Sequence, residues 1–472
     1  MTHVDPLIED ERHLQASDAT VEAARALRRE VPRGTFAGWT PAPQRPDPVE
    51  TLLEQDRARS TDLVPIRHGR MGASAFAFYR GGAAIMAADL AVMQVTGLTT
   101  QLCGDAHLSN LGVFASPERR LLFDLNDFDE TLPGPWEWDV ARLVASFAIA
   151  ADAIGARTSS DRTSAARECA RSYRDAMAGF ARTNALDTWY ARLDLDEFLV
   201  ALEATAPKQV ARRAREQTAK TRTRTSLQAA RKLTRLVDGK LRIVHDPPLL
   251  VPLSSMVAPA DTADVVDRIR ETYRQYRNSL PSGPRRLLAD YEFVDIGHKV
   301  VGVGSVGLRA FIVVLQCRRT AEPLILQVKE ATTSVLEPFL GPSGFEQPGQ
   351  RVVEGQRMMQ AASDLFLGWS SSPNDDRYFY WRQLRDMKGS VEVEQMVPKG
   401  LSIYARMCGW SLARAHARSG PASAIAGYLG SSDRFERAMA EFASRYARQN
   451  RVDFEAHRAA VADGRIPALV DV

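Results

Sequence analysis

Residues 103–139 read CGDAHLSNLGVFASPERRLLFDLNDFDETLPGPWEWD, and the rest of the chain is interpreted from them. Asp105 and Asn110 lie on a loop entered from the run 97–103 (GLTTQLC). After a turn at Ser116 and Pro117, residues 120–124 (RLLFD) have the apolar character and length of a strand. That strand is expected to deliver Asp124, Asp127 and Asp129 to one end. An Asp-x4-Asn pair followed by clustered carboxylates is how phosphoryl-transfer sites collect a base and their magnesium ligands, because magnesium prefers hard carboxylate and amide oxygens. A solvated acidic turn is the competing reading of the same residues.

A second segment supplies a means of holding phosphates. Residues 302–307 (GVGSVG) stand between 295–301 (DIGHKVV) and 308–315 (LRAFIVVL), both of strand character. A dinucleotide fingerprint with this glycine spacing would pass from strand to helix, and a Walker loop would carry Lys-Ser or Lys-Thr after its last glycine. Neither condition is met. A glycine-rich hairpin followed by a strand lysine is the kinase arrangement. Gly302, Gly304, Ser305 and Gly307 are the candidate phosphate-cradling residues, and the strand 323–329 (PLILQVK) ends in Lys329. Alone, Lys329 also reads as a strand-end lysine reaching solvent. A helix is expected over 350–362, where apolar residues recur at helical spacing. Glu354 on that helix is the candidate partner that orients Lys329, with Glu330 as the alternative, and a solvated glutamate is the competing reading. Residues 377–384 (RYFYWRQL) read as a strand leading out of this region.

CGDAHLSN resembles the HGDxHxxN catalytic loop of aminoglycoside and choline phosphotransferases, members of the protein-kinase-like superfamily, and NDFDE resembles the IDFxD segment that follows it there. The resemblance implies that Asp105 is the catalytic base, that Asn110 and Asp127 bind magnesium with Asp129 beside them, and that Asp139 supports the loop. Cys103 stands where that family usually has histidine. The helix expected over 404–418 (YARMCGWSLARAHAR) is similar to the LGxxLAxLH helix found just upstream of the catalytic loop there. In ordinary kinases the glycine loop and lysine precede the catalytic loop, whereas here Lys329 follows Asp105 by more than two hundred residues. A circular permutation accounts for that order, and permutation is tolerated where termini are close and at the surface. The chain from about residue 60 to 420 also resembles the bacterial domain of unknown function 2252, through His68-Gly-Arg-Met, CGDAHLSN, FDLNDFDE, GPWEWD, LQVKE, RVVEGQRMMQ and FYWRQLRDMKGS.

The fold expected is therefore α+β: a two-lobed, circularly permuted protein-kinase-like fold with a large helical lobe. Its parts are an N-terminal helical extension (1–95), a catalytic-loop and helical lobe (96–289), a glycine-loop nucleotide lobe (290–400) and C-terminal helices completing the helical lobe (401–472). Within the extension, a short helix at 21–30 and a Pro-rich connector at 31–48 are expected to wrap the surface without forming a core. Arg70 and Arg80 are expected either to reach phosphate oxygens or to tie the extension to the catalytic lobe, and His107 to stabilise its loop by a hydrogen bond. The segment 208–235 carries ten basic residues against one acid and reads as a solvated helical face or an anion-binding surface.

With 472 residues, 45% hydrophobic and 25% charged, the chain can bury two cores. A net charge of +3 argues against a nucleic-acid binder. Four scattered cysteines suggest neither a disulfide framework nor a zinc site, and no signal sequence or apolar membrane span is evident, so a cytoplasmic setting without a membrane partner is expected. The expected cofactors are ATP and magnesium. The expected reaction transfers the γ-phosphoryl group to a hydroxyl on an unknown small-molecule or protein acceptor, with AMP transfer left open. The rival classes are a nucleotide-binding pseudokinase acting as a binding module and a metal-dependent phosphohydrolase built on Asp124, Asp127 and Asp129.

Overall fold

A computed structural model of the chain describes residues 18–156, 158–205, 208–258, 261–384, 387–389 and 396–470. It is a mixed α+β structure in which a six-stranded antiparallel sheet and three smaller sheets accompany a large body of helices. In chain order the strands are β1 (Thr99–Leu102), β2 (Leu111–Ala115), β3 (Leu121–Leu125), β4 (Leu132–Pro135), β5 (Leu193–Asp194), β6 (Thr234–Val237), β7 (Lys240–Ile243), β8 (Leu250–Pro252), β9 (Tyr291–Lys299), β10 (Ala310–Cys317), β11 (Pro323–Ala331), β12 (Gly368–Ser371) and β13 (Tyr378–Gln383). The large sheet has the order β12-β13-β11-β10-β9-β8. Its hairpin β9–β10 encloses the glycine loop, β11 carries Lys329, and the helix Pro348–Met359 separates β11 from β12 and β13.

Strand parity determines what each face of this sheet can do, because successive side chains point to opposite sides. Leu324, Leu326 and Val328 of β11 join Val313, Leu315, Phe379 and Trp381 beneath Tyr276 of the helix Thr262–Ser279. Tyr276 stacks on Trp381 with ring centroids 4.4 Å apart. The opposite face carries Ile325 with Ile312 and Val314, covered by Ala229 and Ala230 of the helix Ser226–Leu233. Lys329 has the parity of Ile325. Gln327 and Lys329 oppose Arg382 and Tyr380 across β11–β13, so these four polar side chains share the second face. Strand β8 and both covering helices precede residue 290, so a boundary at 290 separates segments that pack together.

The helical body is centred on the helix Trp136–Ala153, which is buried along nearly its whole length, its charged Glu137, Asp139 and Arg142 included. It packs among the helices Ser159–Phe180, Pro398–Ser419 and Arg434–Ala462. Glu137 and Asp139 occupy its first turn, where negative charge suits the helix dipole. The connector expected to stay on the surface is corrected here. Phe36 and Trp39 are buried in the main core and pack edge-on against Phe442, because aromatic rings of this size gain too much from burial to remain on a surface strap. The basic segment divides into two helices. Lys208–Arg222 is largely exposed and ion-paired to Glu203 and Asp196, whereas the next helix, 226–233, buries its alanines against the sheet.

A buried ion pair ties these parts together. Arg414 of the 398–419 helix donates through Nη2 to both oxygens of Asp124, at 2.8 Å each, and to the carbonyl of Met359 at 2.6 Å. The Ala361 amide also donates to Asp124, at 2.7 Å. Asp124 therefore joins β3 to two helices and is not part of an acid cluster with Asp127 and Asp129. With both side chains of the pair buried, Arg414→Met strands a carboxylate away from water. Its stability in urea should fall by about 3–5 kcal/mol, while Arg270→Met, which breaks an exposed pair with Asp267, should leave the unfolding midpoint where it is.

Candidate functional site

The loop carrying Asp105 is held from below. Asp139, at the start of the central helix, accepts the backbone N–H groups of Cys103 at 2.8 Å and Gly104 at 3.1 Å. His416 approaches the same carboxylate at 3.3 Å and is itself bonded to Tyr173. Gly104 takes φ +82°, and a Cβ there would stand 2.2 Å from the carbonyl oxygen of Glu130, so only glycine lets the two acidic segments approach this closely. Burial, reinforced by the neighbouring Asp139 and Asp105 charges, pushes the Cys103 thiol up and keeps it neutral. On this support, Asp105 receives Arg142 Nε on Oδ1 at 2.5 Å, while its Oδ2 faces Asn110 Nδ2 at 3.4 Å and His107 Nε2 at 3.6 Å. Burial raises the Asp105 carboxyl against the pull of Arg142. Burial and then the charges of Arg80 and Arg142 hold His107 neutral, and the hydrogen bond expected to stabilise its loop is not found at Nδ1, which is buried without a partner among the described residues.

The second acidic segment meets the sheet. Lys329 Nζ forms a close ion pair with Asp129 Oδ2, which also lies 3.3 Å from Ser305 Oγ, while Tyr380 donates its hydroxyl to Asp129 Oδ1 at 2.5 Å. Burial acts to raise Asp129, and Lys329 overrides it, holding the carboxyl down to about 2. Asp127 moves the other way, raised by burial and by repulsion from Asp129. The two expected roles that depended on Asp129 and Glu354 change accordingly. Asp129, expected to join the magnesium ligands, lines the cleft and is also the counter-ion of Lys329. Glu354, expected to orient Lys329, bonds instead to Arg357 one turn along its own helix at 2.8 Å. Glu330 lies next to Lys329 in the strand and is taken by the Arg309 amide at 2.9 Å.

Contact between the 348–359 helix and the acids runs through Arg351. Its guanidinium donates to the carbonyls of Asp129 at 2.9 Å, Thr131 at 2.6 Å and Thr332 at 2.8 Å. The sequence did carry a signal for it, since Arg351 falls on the buried helical stripe with Gly355 and Met359. Arg142, Tyr380, Arg382 and Lys388 were also missed, and each gains its place only through long-range pairing.

The glycine loop is gripped by the N-terminal extension. Arg70 donates to the Gly302 carbonyl at 2.8 Å, Arg59 to that of Val306 at 2.5 Å, and the Ser60 amide to that of Gly307 at 2.9 Å. Val303 and Val306 pack into apolar clusters with Met71, Phe78, Leu63 and Ile66. Arg70 therefore ties the extension to the glycine loop. Arg80 lines the cleft between that loop and Asp105, Asn110 and Asp127, a cavity of about 390 Å³. A second cavity, also about 390 Å³, opens beside it and is lined by Asn126, Lys299, Gln327, Arg382 and Lys388. Burial and the adjacent Arg382 lower the Lys388 ammonium to about 7.

Among the described residues, no three His, Cys, Asp or Glu side chains come together as a metal cage. Asn110 and Asp127 line the cleft together with Asp105, Asp129 and Glu130. The amide and carboxylate oxygens of Asn110 and Asp127 are hard donors of the kind that fit magnesium, an ion that takes few protein ligands and keeps several waters. The raised Asp127 carboxyl is what a cation at this point would relieve.

The family model described as an uncharacterized protein conserved in bacteria (DUF2252) matches residues 59–460, and the chain belongs to that family. No curated protein and no solved structure matches it. None of the helices in the described residues is long and apolar enough to cross a membrane.

The depressed Asp129 carboxyl has a consequence for pH. A group held below its unfolded value contributes stability above the ordinary carboxylate range and loses it as pH falls toward about 2. Lys329→Met removes the main counter-charge. Its Asp129 carboxyl should titrate above the wild-type position in a carbon-detected NMR titration in metal-free buffer, and its stability advantage over an acidified sample should shrink.

Proposed function

We propose that this chain is an ATP- and magnesium-dependent phosphotransferase of kinase-like, circularly permuted, two-lobed build, acting on a hydroxyl-bearing acceptor. The contact between Lys329 and Asp129 carries this reading, because it joins a lysine on the strand after a glycine hairpin to the acidic loop that follows an Asp-x4-Asn pair. The sheet order β9-β10-β11-β13-β12, with a helix between β11 and β12, supports the kinase-like build. So does the helix 398–419, which packs on β1 and β3 beside the acidic loops. A chain cut between that helix and β1 would have this order.

In the reaction, Lys329 neutralises phosphate charge from the sheet side, and Asn110 and Asp127 would hold magnesium, which would supply Lewis-acid stabilisation of phosphate charge. Asp105 takes the acceptor's proton through Oδ2, since Oδ1 is held by Arg142. Gly302, Gly304 and Gly307, with Ser305, let the hairpin backbone lie close over the nucleotide. Which phosphorus is attacked follows from how the nucleotide lies between the two cavities. A hydrolase built on Asp124, Asp127 and Asp129 is disfavoured by the engagement of Asp124 with Arg414.

Calorimetry with magnesium-ATP, beside an ATP-consumption assay over a panel of metabolites and protein extract, tests the reading. Folded Asp105→Asn should retain magnesium-ATP binding and lose turnover by roughly 10²-fold or more, the scale of a lost general base. Asp127→Asn should lose the magnesium-dependent part of nucleotide binding as well. Tight wild-type binding with no consumption across the panel would identify a binding module instead.

A further inference from the structure

We infer that ATP lies in this site with its β- and γ-phosphates in the cavity of Arg382 and Lys388 and its base beneath the glycine loop, so that the group transferred is AMP. This rests on the reading of the site as an ATP-dependent transferase and specifies which of its bonds is broken.

The two cavities adjoin at the acids. Asn126 and Val301 line one, and their neighbours Asp127 and Gly302 line the other. Their charges differ. Among the described residues, the cavity on the β13 side has Arg119, Lys299, Arg382 and Lys388 against Asp364, and both oxygens of Asp364 accept backbone amides, from Phe366 and Gln383. The cavity under the glycine loop has Asp105, Asp127, Asp129, Glu130 and Glu330 with Arg59 and Arg80, and Asp105 and Asp129 are already paired with Arg142 and Lys329, so its acids and cations come near to balance. A polyphosphate tail is drawn more strongly to the first than to the second, at distances where partial burial leaves charges weakly screened. Guanidinium and ammonium groups are also the donors that grip phosphate oxygens best.

A purine ring has the opposite requirement. On the β13 side it would press against Lys388 and against Arg382, which is bonded to Gln327 at 3.0 Å, and would desolvate both cations without offering them a partner. Beneath the glycine loop it meets small and apolar surface from Ala58, Gly81, Ala83, Val303, Leu308 and Val335. Because Asn126 and Val301 line the basic cavity and Asp127 and Gly302 the neighbouring one, phosphates seated in the first place the α-phosphorus at the junction, beside the magnesium-binding pair. The lowered Lys388 ammonium agrees with this placement, since an anion beside it would restore its full charge.

The chemistry then balances without a further reactant. The acceptor's hydroxyl oxygen bonds to the α-phosphorus, the bridging oxygen between the α- and β-phosphorus leaves with its electron pair as part of pyrophosphate, and the hydroxyl proton passes to Asp105.

Calorimetry with magnesium-ATP and with AMP on wild type, Lys388→Met and Lys388→Arg tests this, with each variant's thermal midpoint as the folding control. In the inferred orientation Lys388→Met weakens ATP by about ten-fold, the scale of a charge-assisted contact, leaves AMP unchanged, and is largely rescued by Lys388→Arg. Equal weakening of ATP and AMP overturns the orientation. In a parallel assay, ATP labelled at the α- or γ-phosphorus is supplied with bacterial extract as the acceptor source. Acceptor labelling from the α position with release of pyrophosphate supports the inference. Labelling from the γ position overturns it and leaves the transferase reading standing, whereas transfer of neither label, or no wild-type binding of magnesium-ATP, overturns both.

Discussion

The ion pair between Lys329 and Asp129 is the contact on which the arrangement of the site depends. Burying an ammonium and a carboxylate together is costly unless every remaining donor and acceptor is satisfied. Here Asp129 is also met by the Tyr380 hydroxyl and faces Ser305, and its backbone carbonyl is held by Arg351. Lys329 in turn lies over the Tyr380 ring, 5.4 Å from its centroid. Those partners come from the glycine loop, β13 and the 348–359 helix, so one satisfied charge pair fixes three elements of the sheet region against the acidic loop.

A roof and a floor give this pair its rigidity. Below it, Asp139 and Gly104 set the path of the chain into Asp105, and Arg142 on the same central helix holds the Asp105 carboxylate. Above it, Ser60, Arg59 and Arg70 fasten the glycine loop by its carbonyls. A glycine-rich hairpin left to itself has large backbone freedom. Fastened to the helices Pro48–Asp56, Val64–Gly72 and Ala75–Gly81, it becomes a fixed wall. Ordering entropy that a ligand would otherwise bear is thereby met in folding.

Much of the site's composition was legible in the sequence, and its pairings were not. Asp105, Asn110, Asp127 and the glycine hairpin could be read because each belongs to a short motif whose spacing reflects local geometry. Lys329 could be placed on a strand by its apolar, β-rich context. Its partner could not, since Glu354 and Asp129 are equally reasonable carboxylates until the register of β11 against β13 and the path of residues 126–131 are known. Asp124 was grouped with its neighbours in sequence, yet its position in β3 turns it toward Arg414, a residue nearly three hundred positions away. Phe36 and Trp39 stand in a stretch whose prolines signal an irregular path, a signal that carries no information about burial.

By itself the sequence determined the family, the α+β class, the order of the elements and the chemical types gathered at the site, because those depend on periodicity, turn residues and motif spacing within short stretches of chain. Only the tertiary structure decided that the N-terminal helices close over the glycine loop, that Lys329 pairs with Asp129, and that Arg382 and Lys388 fill a cavity next to the acids with positive charge. Each of these depends on which residues meet across hundreds of positions. That is settled by the joint burial of apolar faces and the need to pair every charge they enclose, a condition no local stretch of sequence contains.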